Sequence, residues 1–339
     1  MEIGLYTFGD LAPGRRGPEA ARRRLDEVVA AAKLADEAGL AVFGVGEHHR
    51  ADYAISAPAV VLGAIAAVTR SIRLSSAVTI LSSDDPVRVF EAFSTVDLLS
   101  GGRAEIMAGR GAFVESFPLF GLALEDYEEL FEEKLELLLK IVAEERVSWR
   151  GRHRPALADR EIAPRPIGDL PVWIAAGGTP ASAVRAGRLG LPLNLADIGV
   201  EPLRFKPFID LYRQTSEAAG HGPGRVALSA HCAVGRDGAA IRAAFLPHYA
   251  DYFRHNLPQR DAGPTIGEAE FARLSRPEGA LFVGSPAEIV DKILYGHALF
   301  GHERFTAQID IGGQPFAMVA ETIERLAVDV LPEVRKALA

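Results

Sequence analysis

Residues 42–50 read VFGVGEHHR, and this stretch decides the fold class of the chain. Its apolar first half has the length and composition of a buried strand, and a turn at Gly39 precedes it. The strand ends in three ionisable residues, Glu47, His48 and His49. Such groups are costly to bury unless they reach an open rim, and in α/β proteins that rim carries the active site. The stretch therefore indicates an α/β enzyme.

The same order of short apolar strand, loop and amphipathic helix repeats along the chain. Helices are expected to begin near Pro18, Pro86 and Pro180, since proline suits a first helical position. The eight predicted strands lie at residues 3–8, 42–46, 72–81, 104–108, 170–178, 191–196, 225–235 and 304–313. No G-x-G-x-x-G motif follows the first strand. The pattern predicts one (β/α)8 TIM barrel domain over residues 1–339 rather than a doubly wound sheet.

One segment interrupts this alternation. Residues 250–282 contain several glycines and prolines and separate the seventh strand from the helix before the eighth. An insertion of this length is predicted to be either an active-site lid or a surface loop without a role in the site.

Composition narrows the class of protein. A net charge of −8 disfavours nucleic acid as the main partner. The single cysteine, Cys232, excludes an internal disulfide and suits a reducing compartment. Neither a signal peptide nor an apolar run long enough to span a membrane is visible in the sequence. A cytoplasmic protein that acts on a small molecule is expected.

Candidate chemistry is found at the ends of the predicted strands. His48 is a candidate for proton transfer, and the alternation of side chains along a strand predicts that only one of Glu47 and His48 faces the pocket. No metal is predicted, because three consecutive ligands cannot all reach one ion and no metal-binding spacing is present. The residues predicted to line a substrate pocket are Phe8, Glu47, Asn194, Asp197, His231 and Asp310.

A second candidate is the turn AAGGTPASA after the fifth strand. Gly177 and Gly178 allow close approach of an anion to the backbone, and a helix that opens at Pro180 adds a favourable dipole. Thr179 either caps this helix or binds phosphate oxygens. Arg110, at the end of the fourth strand, is a candidate cation for the same phosphate. An ordinary strand-to-helix turn explains the same residues without a ligand.

These segments together resemble the bacterial luciferase-like flavin-dependent oxidoreductases. The resemblance runs through GLAVFGVGEHHR, through LSSAVTILSSDDPVRVFEAFSTVDLLSGGRAEIMAGRG, and through LPVWIAAGGTPASAVRAGRLGLPL. It implies a TIM barrel that binds reduced FMN and oxygenates a small organic substrate with O2 through a 4a-peroxyflavin. It implies that His48 is the catalytic acid or base, with Glu47 and His49 as its supports.

The resemblance also implies how the cofactor is held. Ala77 and Val78 match a non-prolyl cis peptide against the flavin ring, while Arg110 and the turn from Gly177 to Ser182, including Gly178 and Thr179, match the phosphate site. Glu128 stands where the luciferase pattern has an arginine, which leaves room for the 8-hydroxy-5-deazaflavin coenzyme and hydride transfer instead. A non-catalytic flavin-binding protein is a further alternative.

Two partners follow from the resemblance. The sequence shows no second nucleotide-binding motif, so a separate reductase is expected to supply the reduced flavin. Family members usually pair through helices near the second and third strands, and the small residues at 57–67 suit such a homodimer.

Overall fold

The first strand of the chain pairs with both the second and the last barrel strand, so the sheet closes on itself. The computed structural model describes residues 1–111, 113–197, 199–256 and 266–339. All pairings around the barrel are parallel. The strands are β1 (Glu2–Thr7), β2 (Val42–Val45), β3 (Arg73–Ser76), β4 (Ala104–Gly109), β5 (Val172–Ala176), β6 (Leu193–Asp197), β7 (Val226–Val234) and β8 (Arg304–Gln308). The predicted (β/α)8 barrel is confirmed.

Helices surround the barrel in the predicted rhythm. They are α1 (Pro18–Glu37), α2 (Pro58–Val68), α3 (Pro86–Ser100), α4 (Ser116–Leu119), α5 (Tyr127–Ala143), α6 (Pro180–Arg188), α7 (Lys206–Ala218), α8 (Gly238–Asn256), α9 (Glu268–Leu274), α10 (Pro286–Phe300), α11 (Phe316–Arg325) and α12 (Leu331–Ala337). Short 3-10 turns lie at Leu124–Asp126, Pro202–Phe205 and Ile311–Gly313, and a π turn at Leu326–Val330 joins the last two helices. None of the described helices is both long and apolar enough to cross a membrane.

Local sequence explains where these helices begin and end. Proline occupies the first turn of α1, α2, α3, α6 and α10. Asp85 caps α3, since its side chain accepts hydrogen bonds from the backbone N–H groups of Val87 and Arg88. Gly101 ends the same helix in the left-handed conformation at φ 72°. The main apolar core lies between the outer faces of the strands and these helices.

The third predicted strand differs from the expectation. Residues 72–81 were predicted as one strand, but the structure divides them into β3 and the two-residue strand Thr79–Ile80. The division is at a cis peptide bond between Ala77 and Val78. Two glycines give this segment its space. A Cβ on Gly44 would lie 2.9 Å from the Ala77 Cβ, and one on Gly109 would lie 2.7 Å from Val78 Cγ2.

The region between β7 and β8 has its own packed core. Phe245, Tyr249, Phe271 and Leu274 bring α8 and α9 together in a second apolar cluster. The strand Phe282–Gly284 extends the sheet beside the upper part of β7. Residues 257–265 of the predicted insertion lie outside the described part of the chain. The described remainder is built from packed helices and a strand.

Candidate active site

A cavity of about 560 Å³ opens at the carboxyl ends of the barrel strands. Its walls are mainly apolar, with a few polar groups between them, which is the usual composition of a small-molecule site. Most of the predicted site residues meet there. Those that line the cavity are Phe8, Glu47, His48, Ala77, Val78, Arg110, Gly177 and Asn194.

His48 is the buried imidazole of this cavity, with 6% of its surface exposed. Its Nδ1 lies 3.3 Å from a carboxylate oxygen of Glu115, and its ring stacks on Tyr53 with 4.1 Å between centroids. Nδ1 is thereby committed to Glu115, which leaves Nε2 as the nitrogen that can serve the cavity. Burial lowers the pKa of His48, and the contact with Glu115 offsets only part of this effect. The imidazole is therefore neutral near pH 7.

Glu47 and His49 do not contact His48 in the predicted way. Glu47 Oε1 lies 2.8 Å from His49 Nε2, and Glu47 Oε2 accepts a hydrogen bond of 3.2 Å from the backbone N–H of Ile80. The pair therefore ties the end of β2 to the chain just beyond the cis peptide. The support of His48 comes instead from Glu115, on the loop after β4.

The predicted alternation of Glu47 and His48 is also wrong. Both residues line the cavity. The reason is that β2 ends at Val45, so the regular up-and-down geometry of a strand no longer applies two residues later.

A cationic corner lies in the wall of the cavity at Arg110. Arg110 Nη2 donates hydrogen bonds to Thr179 Oγ1 at 3.0 Å and to Ser182 Oγ at 3.4 Å. Thr179 makes no side-chain cap on α6. Its hydroxyl lies within hydrogen-bond distance of Arg110 Nη2, at 3.0 Å, and of Ser182 Oγ, at 2.8 Å, instead. A guanidinium, two hydroxyls and a helix N-terminus make this corner suitable for a phosphate.

Glu128 sits at the edge of this corner between two arginines. It accepts a hydrogen bond from Arg110 and a second from Arg185 Nη2 at 3.3 Å. Arg185 is buried against Phe131 and also pairs with Glu132 at 2.6 Å. A carboxylate thus occupies a position where an anionic ligand would compete with it.

Aromatic rings pack against His48 and line the cavity beside it. Phe8 and Phe113 approach the His48 ring edge-on, at 4.8 and 5.1 Å between centroids. Tyr252 and Phe253 of α8 line the cavity from the side of the predicted insertion. These rings exclude water from a polar centre, which strengthens its electrostatic interactions.

Two predicted pocket residues lie outside the cavity lining. His231 is 2% exposed and packs edge-on behind Tyr252, with 5.3 Å between centroids. Asp310 is buried near the end of β8 and accepts a hydrogen bond of 2.5 Å from Thr7 Oγ1. The side chain of Asp197 lies outside the described part.

Known proteins resemble this chain in sequence and in fold. Residues 1–303 match the family model for luciferase-like monooxygenases. The chain belongs to this family. A similar structure is that of the monooxygenase RslO1 from Streptomyces bottropensis, with 25% identity, a TM-score of 0.86, and coverage of 98% of this chain and 99% of that one.

Proteins similar to this chain are described with different cofactors. The oxygenating constituent of 3,6-diketocamphane monooxygenase from Pseudomonas putida, solved in complex with FMN, has 19% identity and a TM-score of 0.80 over 98% of this chain and 99% of that one. N-acetyl-S-alkylcysteine monooxygenase from Bacillus subtilis (strain 168) is 35% identical over 52% of each chain. An F420-dependent glucose-6-phosphate dehydrogenase from Amycolatopsis mediterranei (strain U-32) is 31% identical over 48% of this chain and 51% of its own.

Sequence reasoning missed two side chains that hold the proposed acid or base of this luciferase-like site. Glu115 lies five residues after Arg110, in a loop without a regular pattern, and Tyr53 lies in a loop after β2. The only signal for either was its position just beyond a strand end, where barrel loops carry functional groups.

His231 gives a prediction about stability and pH. Burial lowers its pKa to about 3, whereas the unfolded chain has the ordinary value near 6.5. Between these values the unfolded chain binds a proton that the folded chain does not. The contribution of His231 to the free energy of unfolding is therefore fully present above about pH 6.5 and is lost progressively as the pH drops below that value. We expect His231→Phe, which keeps an aromatic ring against Tyr252, to reduce this loss by about 1.4 kcal/mol per pH unit.

Urea unfolding between pH 7 and pH 4.5 measures the effect. His302, whose pKa is also lowered to about 3 by burial, contributes in the same direction, while Asp310, whose pKa burial raises to about 6, opposes both. Only the difference between variant and parent is therefore diagnostic. His221→Phe, at an exposed position, is the matched control and should leave the slope unchanged. Identical slopes for His231→Phe and the parent would refute the prediction.

Proposed function

We propose that this chain is a flavin-dependent monooxygenase that binds reduced FMN in the cavity and oxygenates a small organic substrate with O2. The observation that carries the proposal is that a single cavity is lined by Arg110, by His48 and by the Ala77–Val78 segment. A corner suited to a phosphate and a neutral imidazole in the same cavity would serve a flavin phosphate and a proton transfer beside the flavin ring.

The residues present fit FMN. Arg110, Thr179 and Ser182, at the start of α6, would hold the phosphate. The apolar wall at Ala77 and Val78 would take the flat ring. Bound reduced flavin supplies the electrons that activate O2, while the protein orients the reactants and keeps water out.

His48 would move the proton that the reaction requires. With Nδ1 held by Glu115, Nε2 accepts a proton from, or returns it to, a group in the cavity. Its lowered pKa keeps it unprotonated in a near-neutral cell. The surrounding rings of Phe8, Tyr53 and Phe113 fix its orientation.

The second candidate is a deazaflavin-dependent dehydrogenase. The observation in its favour is Glu128, whose carboxylate takes part of the positive charge of Arg110 that FMN phosphate would otherwise use. Relatives with both cofactors occur in the family. We prefer FMN because the 35% identical relative is a monooxygenase.

Two partners belong to the proposal. A separate reductase would supply reduced FMN, in keeping with the two-component description of the camphane enzyme. A second copy of the chain would cover the apolar surface of α2 and α3, where Val60 is 74% and Leu99 is 64% exposed. Residues 250–282 are proposed as a lid, since Tyr252 and Phe253 already line the cavity.

Flavin titration tests the proposal. We expect FMN, added in reduced form under anaerobic conditions, to bind with micromolar or better affinity, and O2 to oxidise the bound form with kinetics different from those of free flavin. The deazaflavin coenzyme serves as the competing ligand. Binding of deazaflavin without FMN would transfer the chain to the dehydrogenase class, and binding of neither would overturn both candidates.

A further inference from the structure

The cavity continues below the rim into the barrel itself. Gly44, Ser75, Ala196, Ser229 and Thr306 line it from β2, β3, β6, β7 and β8. TIM barrels are usually filled at this level by bulky branched side chains. The small residues here leave a space along the barrel axis, which we call the axial well. It opens upward into the site described above.

Asn194 projects into this well from an unexpected height. It was predicted at the carboxyl end of its strand, but it is the second residue of β6. It pairs in register with Ala227 of β7, which in turn pairs with Arg304 of β8. It is 3% exposed and lines the cavity. Asn194 therefore faces the axial well from inside the barrel rather than from the rim.

A directed chain of hydroxyl groups orients the Asn194 amide. Ser229 Oγ donates to Asn194 Oδ1 at 2.9 Å and lies 2.5 Å from Thr306 Oγ1. Because the one hydroxyl proton of Ser229 is used on Asn194, Thr306 must donate to Ser229. Asn194 Nδ2 then faces the well, and no residue of the described chain accepts a hydrogen bond from it. Asn194 Nδ2 is open to the cavity, and a ligand that supplies an acceptor there gains a hydrogen bond.

The floor of the axial well carries no unpaired charge among the described residues. Arg304 donates to Glu105 Oε1 and Glu2 Oε2, both at 2.6 Å, and lies over the Trp173 ring at 4.5 Å. The guanidinium is therefore neutralised by two carboxylates and is not available to an anion. The well suits a neutral group that accepts one hydrogen bond.

We propose that the axial well is a subsite for a neutral carbonyl group whose oxygen accepts a hydrogen bond from Asn194 Nδ2. The proposal rests on the proposed flavin-dependent function, because the carbonyl belongs either to the organic substrate or to the flavin ring. In both cases the amide selects an acceptor and rejects an isostere that lacks the oxygen.

Binding of three six-membered-ring probes to the flavin-free protein tests the subsite by calorimetry. Cyclohexanone carries the acceptor, methylenecyclohexane has the same shape without it, and cyclohexanol adds a proton that the well must also satisfy. We expect cyclohexanone to bind about tenfold or more tightly than methylenecyclohexane, and more tightly than cyclohexanol. Equal dissociation constants for ketone and alkene, no detectable binding of cyclohexanone, or a preference for the alcohol would overturn the proposal.

Two variants assign the contact. Asn194→Leu should abolish the preference for ketone over alkene. Ser229→Ala leaves the amide in place but frees Asn194 Oδ1, so the amide can turn and the preference for ketone over alcohol should shrink. If Asn194→Leu does not fold, Ser229→Ala decides alone: an unchanged ratio of ketone to alcohol affinity would refute the directed chain.

Titrations with FMN and riboflavin separate the two sources of the carbonyl. If the flavin ring supplies it, Asn194→Leu weakens both flavins equally, and cyclohexanone competes with them. If the substrate supplies it, flavin affinity is unchanged and cyclohexanone binds beside the flavin. Selective binding of the ketone by a protein that binds no flavin would support the subsite and overturn the proposed function, so the two failures are distinguishable.

Discussion

Replacement of His48 by alanine is expected to lower the rate of oxygenation by about a hundredfold or more. His48 is the buried imidazole of the cavity, and its Nε2 is the ring nitrogen left for proton transfer by the contact between Nδ1 and Glu115. The affinity for FMN should stay within a few-fold of the parent, because the phosphate is proposed to be held by Arg110, Thr179 and Ser182 rather than by His48. Oxidation of a simple thioether or cyclic ketone, with reduced FMN from an added reductase, provides the assay.

The dependence of kcat/KM on pH gives a readout that a merely structural role would not change. Burial lowers the pKa of His48, so a reaction that needs the neutral ring is retained below pH 6.5 and is lost as the pH falls through the lowered value. Glu115→Gln removes a contact that raises this pKa. We therefore expect the acid limb of the profile to move to lower pH in Glu115→Gln.

His49→Gln is the matched control, since His49 pairs with Glu47 and not with His48. It should leave the position of the acid limb unchanged. Full turnover in His48→Ala, or an acid limb that does not move in Glu115→Gln, would remove the proposed role of His48.

The barrel could be predicted because each of its parts has a local cause. Apolar runs of strand length, and prolines at positions such as 18, 86 and 180, mark the strands and helix starts independently of distant contacts. His48 could be predicted as a site residue for the same reason, since it follows a strand that ends at Val45. Features that depend on one local segment and on a known edge of the fold can therefore be predicted from the sequence.

The partners of the site residues could not be predicted in this way. Glu115 reaches His48 from a loop 67 positions away, and nothing in either segment encodes the approach. The position of Asn194 along the barrel axis was also predicted wrongly. The assumption that it ends its strand places it at the rim, but β6 continues to Asp197, so Asn194 lies inside the barrel. Contacts between distant loops and exact strand ends are set by tertiary packing, which a single sequence does not display.

Replacement of Arg110 by methionine is expected to weaken FMN binding by about 10- to 150-fold, the value of a lost charge-assisted hydrogen bond. Arg110 Nη2 already bonds the hydroxyls of Thr179 and Ser182, so the cation and both hydroxyls converge on the point that a phosphate would occupy. Methionine keeps an unbranched apolar stem and removes the guanidinium, whose Cζ lies 5.3 Å from the centre of the Tyr127 ring. Fluorescence titration with FMN, repeated with riboflavin, isolates the phosphate contribution, since riboflavin has the same ring and no phosphate.

Glu128→Gln supplies the opposite change at the same corner. Its carboxylate would compete with a bound phosphate for Arg110 and, through Arg185, for a second guanidinium. Because Glu128 is 56% exposed, solvent screens this competition, and we expect FMN affinity to rise by no more than about fivefold. Riboflavin affinity should be unchanged in both variants, and added salt should narrow the difference between them. If Arg110→Met weakened riboflavin as much as FMN, the corner would hold the ring or the local fold rather than a phosphate.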